Sequence, residues 1–167
     1  ATEFKKDHGQ VCEAWRLLGA TNRVMYLEAA VAKLALLTGD TKKARTLFTH
    51  LLRLAPKLDQ IHHMTGATGE SNELYVTARG KTMVIGDESA KALAVLGQLI
   101  AALLTGNEVV LHCPSQDEMC IEAVKALYEA GISEDVISIA NDSQLVTLLH
   151  MERLAQVAVA GSISEVQ

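Results

Sequence analysis

Leu103 to Ile139 reads LLTGNEVVLHCPSQDEMCIEAVKALYEAGISEDVISI, and this stretch decides the fold. Residues 108–112 are an apolar, valine-rich run behind a Gly106-Asn107 turn, the pattern of a buried strand. Residues 115–130 recur at helix spacing, with Ser115 and Glu118 placed as a capping box. Gly131 stops that helix, and residues 136–140 are a second β-type run. Strand, helix and strand joined by short loops make one βαβ unit, which requires parallel strands and a right-handed crossover.

The same alternation extends outward. Residues 73–78 (ELYVTA) and 81–86 (KTMVIG) are short β-type runs separated by Arg79-Gly80. Residues 87–105 are expected to be helical, with Leu93, Leu96, Ile100 and Leu103 on one face. The acidic pair Asp87-Glu88 suits that helix's start, where the dipole favours negative charge. After residue 140, Asn141 or Asp142 is expected to cap a short helix reaching about Met151. Residues 156–160 (QVAVA) read as a strand, and Ser162 as the start of another helix. A doubly wound sheet would continue, so the chain reads as a fragment truncated inside its domain.

Upstream, residues 10–55 read as helices. Val24, Leu27, Val31 and Leu34 form one apolar face, thickened by Met25, Ala32, Ala35 and Leu36, with Thr21 or Asn22 as the cap. Thr38-Gly39 ends this helix, and Asp40 or Thr41 caps the next. There Ala44, Leu47, Phe48, Leu51 and Ala55 form a stripe that Pro56 closes. The fold class expected is therefore α/β. A parallel Rossmann-like sheet, expected to be incomplete, follows a helical hairpin over residues 1–56 and a loop over 57–72, and occupies residues 73–167.

Composition narrows the function. The chain has 167 residues, 49 % hydrophobic but only 4 % aromatic, so Leu, Val, Ile and Ala must build the core. The net charge is −5 and no consecutive Lys/Arg run exceeds two residues, which argues against nucleic acid as a partner. No apolar run reaches the ~18 residues of a spanning helix. Three cysteines without a CxxC pair suit a reducing, cytoplasmic compartment.

Few residues invite a chemical reading. Gly161-Ser162 follows a strand and could face a pyrophosphate, and Ser115 opens a helix behind another. A second glycine and an acidic ribose partner are missing, so these three are weak coenzyme candidates and no bound cofactor is expected. GATGESN (66–72) lacks the Lys-Ser/Thr ending of a phosphate loop and reads as a turn. His62-His63 lacks a third ligand at zinc-like spacing, so no metal is expected. Cys113 and Cys120 are seven apart across a turn and read as buried small hydrophobes rather than redox partners. Cys12, near Trp15, reads as helix packing. His112 with Asp117 or Glu118 lacks an adjacent nucleophile, so no catalytic residue is assigned. On this reading there is no convergent ionisable cluster.

These motifs carry a resemblance. Gly106, Asn107, Val109, Val110, Pro114 and Ser115, then Gly131, Val136 and Ile137, then Gly161 and Ser162, are similar to the coenzyme domain of aldehyde dehydrogenases. Upstream, Gly66, Thr68, Gly69, Glu70, Asn72, Arg79 and Gly80 resemble a segment in the C-terminal domain of long proline utilization A proteins. In that segment the family has Pro where Ala67 and Ala78 stand. These multifunctional enzymes couple an FAD-dependent proline dehydrogenase to an NAD-dependent glutamate-semialdehyde (pyrroline-5-carboxylate) dehydrogenase. Many carry a further, inactive domain of aldehyde dehydrogenase fold. The resemblance implies that NAD and FAD belong to the parent enzyme and not to this segment.

Departures from the family pattern fall on its chemical residues. Where active relatives place a Lys before Pro to bind the coenzyme ribose, this chain has His112 and Cys113. Gln116 replaces the following Glu. Gly86, Asp87, Glu88 and Ser89 stand where the oxyanion-forming Asn is expected. The family's nucleophilic Cys would fall beyond Gln167. The resemblance thus implies a non-catalytic domain that packs on the dehydrogenase domain and helps enclose the path of the intermediate. Association with the rest of the parent, or with a second copy, is expected from an incomplete sheet. Two alternatives are a residual NAD-binding module and a helical-repeat adaptor built on residues 10–55.

Overall fold

The computed structural model describes residues 8–60, 81–86, 91–141, 144 and 154–160. Its centre is a four-stranded sheet of β1 (Lys81–Gly86), β2 (Glu108–His112), β3 (Ile137–Ile139) and β4 (Leu154–Ala160). The order is β3-β2-β1-β4 and every pairing is parallel. The βαβ reading of 103–139 is borne out: β2 and β3 are neighbours joined through a helix. The strand over residues 73–78 and the 61–72 part of the expected 57–72 loop lie outside the described residues, whereas 57–60 are helical and not loop.

Alternation along the strands sorts their residues onto two faces. Val84, Val109, Leu111 and Ile137 join the main core, whereas Met83, Val110 and Ala140 form a second, smaller cluster. Four of the five β2 residues are buried, as a central parallel strand covered on both faces requires. The main-core face is covered by α4 (Ala92–Leu104) and α5 (Asp117–Glu129). In α4, Val95, Leu96, Leu99, Ile100, Leu103 and Leu104 are all buried.

Three helices lie over that layer: α1 (His8–Leu17), α2 (Ala20–Leu36) and α3 (Thr41–Leu52). Helices α2 and α3 pack on each other, and the pair packs on α4, with α2 also on α5. Leu27, Leu34 and Phe48 are fully buried in one core continuous with α4, α5 and the sheet. The faces of the expected hairpin are therefore covered by the α/β unit, and a third helix, α1, precedes it. The fixing contacts are polar. Trp15 donates its indole N–H to the Leu103 carbonyl (3.2 Å). Arg23, only 5 % exposed, donates to the carbonyls of Leu104 (2.8 Å), Trp15 (3.1 Å) and Arg16 (2.9 Å). One guanidinium thus satisfies the orphan carbonyls at the ends of two helices.

Several local expectations are corrected. Helix α2 starts at Ala20 and takes its cap from Asp59, not from Thr21 or Asn22. The Asp59 carboxylate accepts from the backbone N–H of Ala20 (2.7 Å) and Thr21 (2.9 Å), and from the Thr21 hydroxyl (2.6 Å). Met25, Ala32 and Leu36 are exposed, because the α2 face that meets α4 and α5 is centred on Leu27, Ala30, Val31 and Leu34. Pro56 opens a helical turn over 55–60 instead of closing α3, a position where its missing N–H costs nothing. Helix α5 begins two residues late: a 3-10 turn over Pro114–Gln116 intervenes and Gln116 is its cap residue. Asp40 does cap α3, accepting from the Lys43 N–H at 3.2 Å. Asn141 forms a reciprocal box with Gln144, each side chain accepting from the other's backbone N–H at 2.9 Å.

Candidate functional site

In an open parallel sheet, ligands enter at the carboxyl ends of strands where the order reverses. Here β2 and β3 run to one side of β1 while β4 lies on the other, so the reversal falls between β1 and β4. Gly86 and Ala160 pair at that end. Ser115 sits in the turn that follows β2, beside β1. Gly161 and Ser162 follow β4 directly but lie outside the described residues, as do Asp87, Glu88 and Ser89.

Among the described residues, this edge shows its chemistry in the turn after β2. Pro114 starts the 3-10 turn, and the Gln116 N–H donates to the Cys113 carbonyl at 2.9 Å. His112 is buried, and its Nδ1 lies 2.9 Å from the Ala140 carbonyl, tying β2 to the residue after β3. Asp117 and Glu118 are exposed in the first turn of α5, where the helix dipole stabilises them. Cys113 is turned inward, 2 % exposed, and its thiol is hydrogen-bonded to that of Cys120, itself 1 % exposed. That bond, burial and the nearby negative charges push the Cys120 thiol above its usual range, away from the reactive thiolate. Both cysteines are core residues, as their sequence reading held, but the fold makes them contacts despite their spacing.

Among the described residues, the turn after β2 shows no cationic side chain. A cationic or donor side chain here would add to the backbone N–H groups that hold a coenzyme's pyrophosphate. The turn instead presents an inward thiol at Cys113, a ring committed to a carbonyl at His112, and two carboxylates at the start of α5. A groove of about 590 Å³ lies elsewhere, on α2 and α3 between Glu28, Arg45 and Arg53.

A convergent ionisable group does exist, contrary to expectation, at the opposite edge of the sheet. His8 and Cys12 are four apart on α1 and share a face. His8 Nε2 lies 2.8 Å from Glu108 Oε1 and its Nδ1 lies 2.9 Å from Asp135 Oδ1. Cys12 Sγ is 3.7 Å from His8 Nε2 and donates to the Asp135 carbonyl at 3.3 Å. Lys81 Nζ approaches the same Glu108 oxygen at 3.4 Å. The Asp135 hydrogen bond, against some burial and with help from Glu108, pushes the His8 imidazole up. Burial first, then Glu108 and Asp135, push the Cys12 thiol up to about 12. The only sequence signal was the His-x-x-x-Cys spacing; Glu108 and Asp135 arrive from more than ninety residues away.

Solved structures supply the comparison. The class they define is the aldehyde dehydrogenase fold: a NAD-dependent benzaldehyde dehydrogenase from Corynebacterium glutamicum superposes with a TM-score of 0.52 at 13 % identity, over 91 % of this chain and 44 % of that one. Within that class, proline utilization A matches. A mutant of the Bradyrhizobium japonicum protein superposes with a TM-score of 0.61 at 20 % identity, over 93 % of this chain and 19 % of that one. A second proline utilization A structure, with proline bound in remote sites, gives 0.55 at 20 % identity, over 94 % and 20 %. The chain has the fold of a part of these proteins, and it spans about a fifth of the proline utilization A chains it matches. No protein-family model matches the chain, and no curated protein does.

Proposed function

We propose that this chain is a non-catalytic segment of a proline-catabolic enzyme that converts proline to glutamate. It packs on the glutamate-semialdehyde dehydrogenase domain and helps enclose the path of the intermediate. The observation that carries the reading is the turn after β2, where a buried Cys113–Cys120 contact stands in place of an outward cation. The fold likeness to proline utilization A over nearly the whole chain supports it. NAD and FAD then serve the parent's two active sites, in the cytoplasm. Among the described residues no helix is long and apolar enough to cross a membrane.

The role needs apolar surface rather than tuned groups. Leu17, Met25 and Leu36 are each about two-thirds exposed or more (71 %, 70 % and 67 %), as surfaces awaiting the rest of the parent or a second copy. The test removes this segment from the parent and follows the semialdehyde with an aldehyde-trapping amine. The reading expects both half-reactions to persist, with the intermediate escaping to solvent and a lag in NADH formation. Unchanged coupling would contradict it. Activity on added semialdehyde separates a leaking path from an unfolded dehydrogenase domain.

A second reading, a residual dinucleotide module, is favoured only by the strand order, which reverses between β1 and β4. The acidic, cation-poor turn after β2 weighs against it. The helical-repeat adaptor loses its premise, because α2 and α3 bury their faces on the α/β unit.

A further inference from the structure

The group at the amino edge of the sheet is chemically distinct from the carboxyl edge. It brings an imidazole nitrogen, a thiol sulfur and a carboxylate oxygen within 4.8 Å of one another, from α1 and β2. Two uses of a Cys-His pair compete. As a nucleophile and base, the thiol would need an environment that favours thiolate. Glu108 and Asp135 do the reverse, and the carboxylate of Glu108 already occupies the imidazole nitrogen that a base would need. The features that disable a nucleophile are those that attract a cation.

We propose that His8, Cys12 and Glu108 form a divalent-metal site of zinc type, with Asp135 holding His8 in place. Mixed nitrogen, sulfur and oxygen donors select zinc over magnesium or calcium, which take oxygen alone. Tetrahedral zinc, with bonds of roughly 2.0–2.1 Å to nitrogen and 2.3 Å to sulfur, sets its nitrogen and sulfur ligands about 3.6 Å apart. The Sγ–Nε2 separation is 3.7 Å, so the α1 pair needs no rearrangement. Nε2 and Oε1 are hydrogen-bonded at 2.8 Å; zinc would open this to about 3.3 Å, a half-ångström retreat that rotation of the Glu108 side chain supplies. Asp135 on Nδ1 reproduces the carboxylate–histidine–metal arrangement that fixes the tautomer and orients the ring. His8 is half exposed, which leaves a route for the ion and a fourth position for water. Lys81 is the group that must yield, since it shares the Glu108 oxygen. Occupancy would staple α1 to the start of β2 and to the loop before β3.

The full chain, treated with chelator and kept reduced, is titrated with cobalt(II) and back-titrated with zinc. One equivalent of cobalt is expected to give the intense visible bands of tetrahedral coordination and a near-ultraviolet thiolate charge-transfer band, both lost to one equivalent of zinc. Cys12→Ser should abolish the charge-transfer band, and His8→Gln should weaken binding by about 100-fold or more. Asp135→Asn should weaken it by about 10–100-fold. Glu108→Gln serves as a further ligand variant, and circular dichroism without metal confirms that each variant folds. A His62→Gln/His63→Gln double variant should bind normally. Octahedral cobalt spectra in the folded chain, or a thiolate band that persists in Cys12→Ser, would overturn the proposal.

Discussion

At the residue scale, two charged side chains fix the helical layer, Asp59 within that layer and Arg23 between it and α4. Asp59 caps α2 from 39 residues away. Asp59→Ala should cost about 1 kcal/mol, read by urea denaturation. Partial burial pushes its carboxyl up, but hydrogen bonds from Thr21 and Ala20, with the charge of Arg23, outweigh that and hold it below its ordinary 3.8. The unfolded chain therefore binds the proton more readily than the folded one. Asp59 stabilises fully above pH ~4, and that contribution is lost as pH falls through the lower folded value. The Asp59→Ala variant should show a flatter acid limb. Arg23 is the second anchor; burial lowers its proton affinity while Asp59 supports it. Arg23→Lys keeps the charge but not the fork, and should cost about 2–3 kcal/mol by leaving buried carbonyls unmatched. Neither role was legible in the sequence, since capping and carbonyl satisfaction across the fold leave no local pattern.

At the element scale, legibility was uneven for a physical reason. The β runs at 81–86 and 108–112 and the helix between Gln116 and Gly131 follow from periodicity and punctuation alone. In α2, periodicity identified Leu27, Val31 and Leu34, but not the edges of the stripe: Met25, Ala32 and Leu36 are apolar and exposed because no partner helix reaches them. The α5 start slipped because Pro114 favours a tight 3-10 turn that delays the helix. Its end is fixed more firmly. Gly131 has φ +106°, and a Cβ there would meet the Tyr26 ring at 3.3 Å, so this glycine lets α5 end against α2. Gly131→Ala should cost about 1–3 kcal/mol in chemical denaturation. Gly39→Ala, at φ +80° with nothing within 4 Å, should cost about 1–2 kcal/mol from backbone strain alone. A Gly131 penalty no larger than that of Gly39 would mean that the Tyr26 contact carries no weight.

At the scale of the whole molecule, the two ends of the sheet have separated in character. At the carboxyl edge, the described residues show Cys113 buried against Cys120 and His112 bonded to the Ala140 carbonyl. The amino edge carries the ionisable group. The sequence pointed to the first through the residues at 112, 113 and 116, because a departure from a strand-end motif is local. It did not point to the second, which joins α1, β2 and the loop before β3 only in three dimensions. Fold and chemistry thus part company, as expected where one scaffold carries different sites. The proposed non-catalytic role implies that the carboxyl edge holds no dinucleotide. Calorimetric titration of the purified chain with NAD tests it most directly. The account predicts no saturable heat up to millimolar NAD; saturable binding in the micromolar range, weakened by substitution at Ser115 or Ser162, would contradict it.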